Sequence, residues 1–286
     1  MLKFIGKQWR GELPFWVSIV LFSLLVPAAV VIGGTSWLGT ASFDMAPYPS
    51  MALAAAVFTL IGIVGVWQLV GTWRATSAQR AQGRWTITRW LGRAAALASF
   101  ALAVFALSTV PAGISRLYAE ANDQDVIGKQ GFTLVSEGDR IIVGGHLSWG
   151  LYDRFRAALE ENDEVQTIVL SGPGGHYGVG VRMARLIRDQ GLDTLAVGEC
   201  ASACTIAFMG GHTRTLESGA RLGYHAPWGE GDLVRQRGER HITALMHSAG
   251  IADEFISRVL ATPADRLWYP TLDELQQNQI ITEDAE

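Results

Sequence analysis

The chain has 286 residues, 49% hydrophobic and 17% charged, which is too apolar for a disordered segment, and its two cysteines are too few to build a disulfide-framed fold. Charge is unevenly placed: residues 1–115 hold 8 Lys/Arg and 2 Asp/Glu, whereas residues 116–286 hold 15 and 25. The acidic second part lacks the clustered basic face a nucleic-acid partner requires, so that class is set aside.

Three uncharged stretches, 13–43, 45–73 and 94–115, each exceed the roughly 20 residues that cross a hydrocarbon core. They predict a membrane domain over residues 1–115 with three transmembrane helices, at about 14–38, 51–73 and 91–113, in contact with membrane lipid. Trp9, Trp16, Trp37, Trp73 and Trp90 fall near the ends of these runs, where interfacial aromatics belong. Lys3, Lys7 and Arg10 precede the first run, Arg74, Arg80, Arg84, Arg89 and Arg93 lie between the second and third, and residues 39–50 contain no Lys or Arg. The positive-inside rule then predicts a multi-pass inner-membrane protein with a cytoplasmic N-terminus and everything from Arg116 onward extracytoplasmic, in the periplasm. The three uncharged stretches carry no ionisable group, which favours an anchor over a transport pathway.

Residues 116–130 read as a polar linker and 131–286 as a folded α/β domain. Residues 131–143 predict two short strands around Glu137, Gly138 and Asp139. Ser148 can cap a helix whose apolar positions are Leu151, Phe155, Ala158 and Leu159. Residues 165–170 predict a buried, parallel strand, and a helix with the stripe Val179, Met183, Leu186 and Ile187 follows. Residues 194–197 predict the next strand and 202–209 the next helix, so strand, glycine loop and helix recur as repeated βα units with a mostly parallel sheet.

The loop Gly172, Pro173, Gly174, Gly175 can bring backbone N–H groups close to an anion or an oxyanion. It lacks the GxGxxG spacing and the Lys-Ser/Thr of nucleotide loops, and a plain strand-to-helix turn uses the same residues. Ser202 stands at a helix start, as an N-cap or as a nucleophile. The nucleophile needs a base, and His225 ends a short strand over 221–225 before a polar loop.

In order and approximate spacing these residues, with Gly210, Gly211 and Gly223, resemble the Clp protease proteolytic subunit and its crotonase-fold relatives, over about residues 131–282. The resemblance implies a Clp protease/crotonase-like α/β fold, a serine peptidase acting on peptide or protein substrates, and a homo-oligomer. It implies Ser202 as nucleophile, His225 as general base, Gly175 and Ala203 as oxyanion-hole amides, and Gly174 and His176 as substrate-binding residues. Asp265 is the candidate third member of the triad, with Asp253 and Glu254 as rivals. Ala261 stands where the family's acid would align, and the stretch 228–260 is shorter than the family's helical handle. The alternative is a catalytically inactive crotonase-fold protein that binds peptides or serves in membrane assembly.

Cys200 and Cys204 flank Ser202 symmetrically. In an oxidising compartment they predict a disulfide, with two buried thiols, or half a metal site completed by His212 or His225, as the other readings. No full metal-ligand set and no cofactor motif is spelled out, so neither is expected.

Overall fold

A computed structural model describes residues 2–14, 16–18, 20, 25, 28–29, 32–33, 46–81, 86–108, 110–228 and 232–283. The chain divides into two compact units, Met1–Tyr118 and Ala119–Glu286.

The first unit is helical: α1 (Leu2–Arg10), α2 (Pro47–Ala81) and α3 (Thr86–Ser108), with α4 (Val110–Ala121) leading out of it. Small residues let these helices approach. A Cβ at Gly71 would lie 2.5 Å from the Gln8 carbonyl oxygen, and one at Gly65 3.3 Å from Ala103 Cβ. Among the described residues one helix, α2 over Pro47–Ser77, is long and apolar enough to cross a membrane, with mean hydropathy 2.2, where the sequence predicts three spans. The first expected span, 14–38, and Trp37 with it, lies mostly outside the described residues. The third falls on α3 and α4. Arg89 and Arg93 occupy the opening turns of α3, and residue 109, between α3 and α4, lies outside the described residues, so the described uncharged stretch of α3 is 94–108. Trp9, Trp16, Trp73 and Trp90 are exposed, and Arg93 stacks on Trp73 at 4.4 Å.

The second unit is a mixed α/β domain. The residues expected as a linker are helical to Ala121 and form a single 3-10 turn at Gly128–Gln130. Asp123 docks the segment by accepting from the Gly150 amide at 3.0 Å. Strands β1 (Phe132–Glu137) and β2 (Arg140–Leu147) form the expected antiparallel hairpin. Thereafter the sheet is parallel, in the order β1-β2-β3-β5-β6, with β3 (Thr167–Gly172), β5 (Asp193–Ala201) and β6 (Arg214–Leu216). Two short strands lie off that path: β4 (Gly174–Gly175) pairs with the end of β2, and β7 (Arg221–Gly223) with the end of β5.

Helices α5 (Trp149–Glu161), α6 (Tyr177–Asp189) and α7 (Ala203–Phe208) supply the crossovers. Ser148 caps α5 by accepting from the Leu151 amide at 3.2 Å, as its position predicts. Val179, Met183 and Ile187 form the buried face of α6, and with Ile141, Leu147, Leu151, Phe155, Ile168, Leu170, Phe208 and Leu222 they make the core. Each such side chain contributes about 1.5–3 kcal/mol on burial. Helices α8 (Asp232–Ser248), α9 (Asp253–Ala261) and α10 (Leu272–Gln277) complete the unit.

Candidate active site

The sequence predicts a strand over 194–197, but β5 continues through Gly198, at φ +60°, to Ala201. The extension has partners on both sides: Cys200 lies opposite Gly172 of β3 and Leu222 of β7. The glycine loop and the strand preceding His225 are thus drawn to one strand end, and Ser202 is the next residue.

Ser202 has φ +55° and ψ −124°, a conformation that costs a non-glycine residue about 1–3 kcal/mol and persists only where its surroundings enforce it. Its amide donates to the Gly223 carbonyl at 2.8 Å. Its carbonyl accepts from the Thr205 amide at 3.0 Å and from Thr205 Oγ1 at 2.7 Å. Its hydroxyl makes no cap bond to α7, so the N-cap reading fails.

That hydroxyl instead lies 2.7 Å from His225 Nε2. The other ring nitrogen, Nδ1, lies 2.6 Å from the Ala226 carbonyl oxygen. A carbonyl only accepts, so Nδ1 carries the hydrogen and Nε2 is left as the acceptor for the serine O–H. Ala226 is itself fixed, its amide donating to the Thr262 carbonyl at 2.9 Å, and Tyr224 is held by reciprocal 2.8 Å bonds with Trp268.

The structure does not bring Asp265 to this pair. It is exposed in the turn after α9, and the place a triad acid would occupy at Nδ1 is taken by the Ala226 carbonyl. Asp253 contacts His247 at 2.6 Å, and Glu254 is exposed at the start of α9.

Gly174 packs directly beneath the serine turn. A Cβ there would lie 2.7 Å from Ser202 Cβ and 2.6 Å from the Ala201 carbonyl oxygen, at φ +97°. Gly174 and Gly175 are a two-residue strand against His146 and Leu147 and not a free loop, and a Cβ at Gly175 would lie 2.5 Å from the Leu147 carbonyl oxygen. Ala203, the first residue of α7, has an amide with no intrahelical acceptor. His176 heads α6, its amide bonded to Leu147 O, and its Nε2 lies 3.0 Å from Asp125 Oδ2 in a close contact without hydrogen-bond geometry. Its side chain is turned to the segment that precedes the domain.

Cys200 and Cys204 are joined, Cα to Cα 5.3 Å, and both are fully buried. Neither sulfur is therefore free for metal. Beside them, Glu199 accepts from Arg221 at 2.8 Å and from the Tyr269 hydroxyl at 3.1 Å, and the Tyr269 phenol is raised above its usual range by desolvation and by that carboxylate.

Thr205, Ala226 and Thr262, and the carbonyl of Gly223, are parts of this arrangement whose roles sequence reasoning missed. Three act through backbone atoms alone, which no side-chain pattern advertises. Thr205, three residues after Ser202, fits a recurring local bond from a Thr hydroxyl to a preceding carbonyl.

No family model and no curated protein matches the chain. Solved structures do: ClpP1 from Listeria monocytogenes (21% identity, TM-score 0.46, covering 52% of this chain and 92% of that one) and a mutant of the same protein (22%, 0.44, 52% and 92%). A mutant of the 1510-N membrane-bound stomatin-specific protease also matches, at 16% identity and TM-score 0.38 over 50% of this chain and 77% of that one.

Proposed function

We propose that the chain is a membrane-anchored serine peptidase that cleaves peptide bonds outside the cytoplasm with a Ser202–His225 dyad. The observation that carries this is the 2.7 Å contact between Ser202 Oγ and His225 Nε2 at a strained strand-to-helix turn, with the tautomer set by Ala226. Strain at a solvent-reachable serine needs a reason, and presenting a nucleophile supplies one.

In this reading Ser202 Oγ attacks the scissile carbonyl while Nε2 accepts its proton. The imidazolium that forms keeps its Nδ1–H on the Ala226 carbonyl and then protonates the departing amine. Amides of Ala203 and Gly175 face the developing oxyanion, and the N-terminal end of α7 favours that charge. Water hydrolyses the acyl-enzyme with the same base. The anchor rests on the apolar α2, and the extracytoplasmic placement on the cations at 3–10 and 74–93.

Labelling by a fluorophosphonate probe tests the chemistry, because it requires an activated serine. The wild-type chain in detergent is expected to be labelled and Ser202→Ala not; equal labelling of both overturns the reading.

A further inference from the structure

Resting on that reading, we propose that the Cys200–Cys204 disulfide is a positioning element of the site, so that Ser202 is a competent nucleophile only while the pair is oxidised. Cys200 is fixed in the sheet between Gly172 and Leu222, and Cys204 lies in the first turn of α7. The bond therefore ties strand to helix across Ser202, whose backbone is strained at φ +55°. A closed loop with a sequence separation of 4 removes little freedom from the unfolded chain compared with a long one, so its effect is concentrated on local geometry.

Without the bond, the conformation of Ser202 is left to its amide bond to Gly223, to Thr205 on its carbonyl, to the hydroxyl contact with His225 and to the packing of Gly174 against the turn. Relaxation toward ordinary φ swings Oγ off the 2.7 Å contact with His225, while β5 and α7 keep their other partners. Reduction by a dithiol is balanced. One reductant thiolate attacks a protein sulfur, its second thiolate resolves the mixed disulfide, Cys200 and Cys204 each take a proton, and the reductant closes its own disulfide.

The experiment follows the rate of fluorophosphonate labelling in the full chain, purified in reducing buffer and then oxidised with diamide, beside the double variant Cys200→Ala/Cys204→Ala. Peptide mass spectrometry reports the redox state and circular dichroism the fold. Oxidation is expected to raise the wild-type rate at least about tenfold, reversibly, at unchanged circular dichroism, a gain that simple support of the fold does not produce; the folded double variant should label at the slow rate in both buffers. Conversely, equal wild-type rates in the two states, or a double variant as fast as oxidised wild type, overturn the proposal. Where the double variant fails to fold, the wild-type comparison decides alone. If the oxidised wild type is not labelled, or Ser202→Ala is labelled equally, the peptidase reading falls and this one with it, an outcome distinct from redox-indifferent labelling at Ser202.

Discussion

The Nδ1 atom of His225 and the carbonyl oxygen of Ala226, its neighbour in the chain, are 2.6 Å apart, and in the proposed dyad this contact takes the orienting role that a carboxylate has in a triad. A carbonyl dipole stabilises an imidazolium less than a full negative charge does, but it fixes the same tautomer and is built from backbone that Thr262 holds in place.

It follows that Asp265→Asn should leave hydrolysis and probe labelling unchanged. Ser202→Ala should abolish both, and His225→Ala should lower the rate by about 10²–10⁴-fold, the usual contribution of a general base. The double variant should be little worse than Ser202→Ala, because the two residues act as a unit. A tenfold loss in Asp265→Asn contradicts the dyad.

Gly174→Ala should silence the site. The added Cβ meets Ala201 O, Ser202 Cβ and, at 2.8 Å, the Ala203 amide nitrogen, none of which can swing aside, and φ +97° is itself unfavourable for alanine. Overpacking of this kind costs about 1–3 kcal/mol and so does the backbone strain. Relief comes by moving the serine turn, so labelling should fall more steeply than the melting temperature. Wild-type labelling in a Gly174→Ala chain counts against the tight seat described for Ser202.

The hairpin over β1 and β2, the Ser148 cap and the α6 stripe were legible because they depend on local periodicity and turn chemistry. Ser202 and His225 were legible as chemical types at strand ends. What the sequence hid is tertiary. Gly198 looks like the end of a strand, yet β5 runs past it because β7 and the end of β3 supply new partners. Asp265 looks like an acid in roughly the right place, but which group reaches Nδ1 is decided by the turn at Ala226, whose carbonyl exists at every residue and marks none. In the first unit, hydropathy treats 94–115 as one run, whereas the helix that carries its start, α3, has Arg89 and Arg93 in its opening turns.

Reporter fusions joined after Arg116 test the orientation. The eight Lys/Arg of residues 1–115 all lie at 3–10 or 74–93. The positive-inside rule predicts that those cations keep their segments in the cytoplasm and that the second unit lies on the other side. Alkaline phosphatase fused there should be active. A cytoplasm-only fluorescent reporter that lights up at the same position refutes the placement.

Tyr224→Phe should be neutral or stabilising at pH 7 and should flatten the loss of stability in alkali. The ring is packed edge-on to Phe255 at 5.3 Å, but its buried hydroxyl has no hydrogen-bond partner among the described residues. Burial pushes the phenol well above its usual range, with the nearby Arg214 charge pulling weakly the other way. A raised folded-state pKa favours the native state fully below the unfolded value of about 10, and that contribution is lost as pH rises from there toward the folded value. Phenylalanine does not titrate, so the variant keeps its packing without the alkaline penalty. It also removes a buried unpaired donor, whose desolvation costs about 1–3 kcal/mol. Thermal melts of the full chain in detergent at pH 7 and at pH 10.5, near ~10 where a free tyrosine titrates, measure both effects. A lower melting temperature for Tyr224→Phe at pH 7, or an alkaline drop equal to that of the wild type, shows that the hydroxyl has a partner in solution and contradicts the assignment.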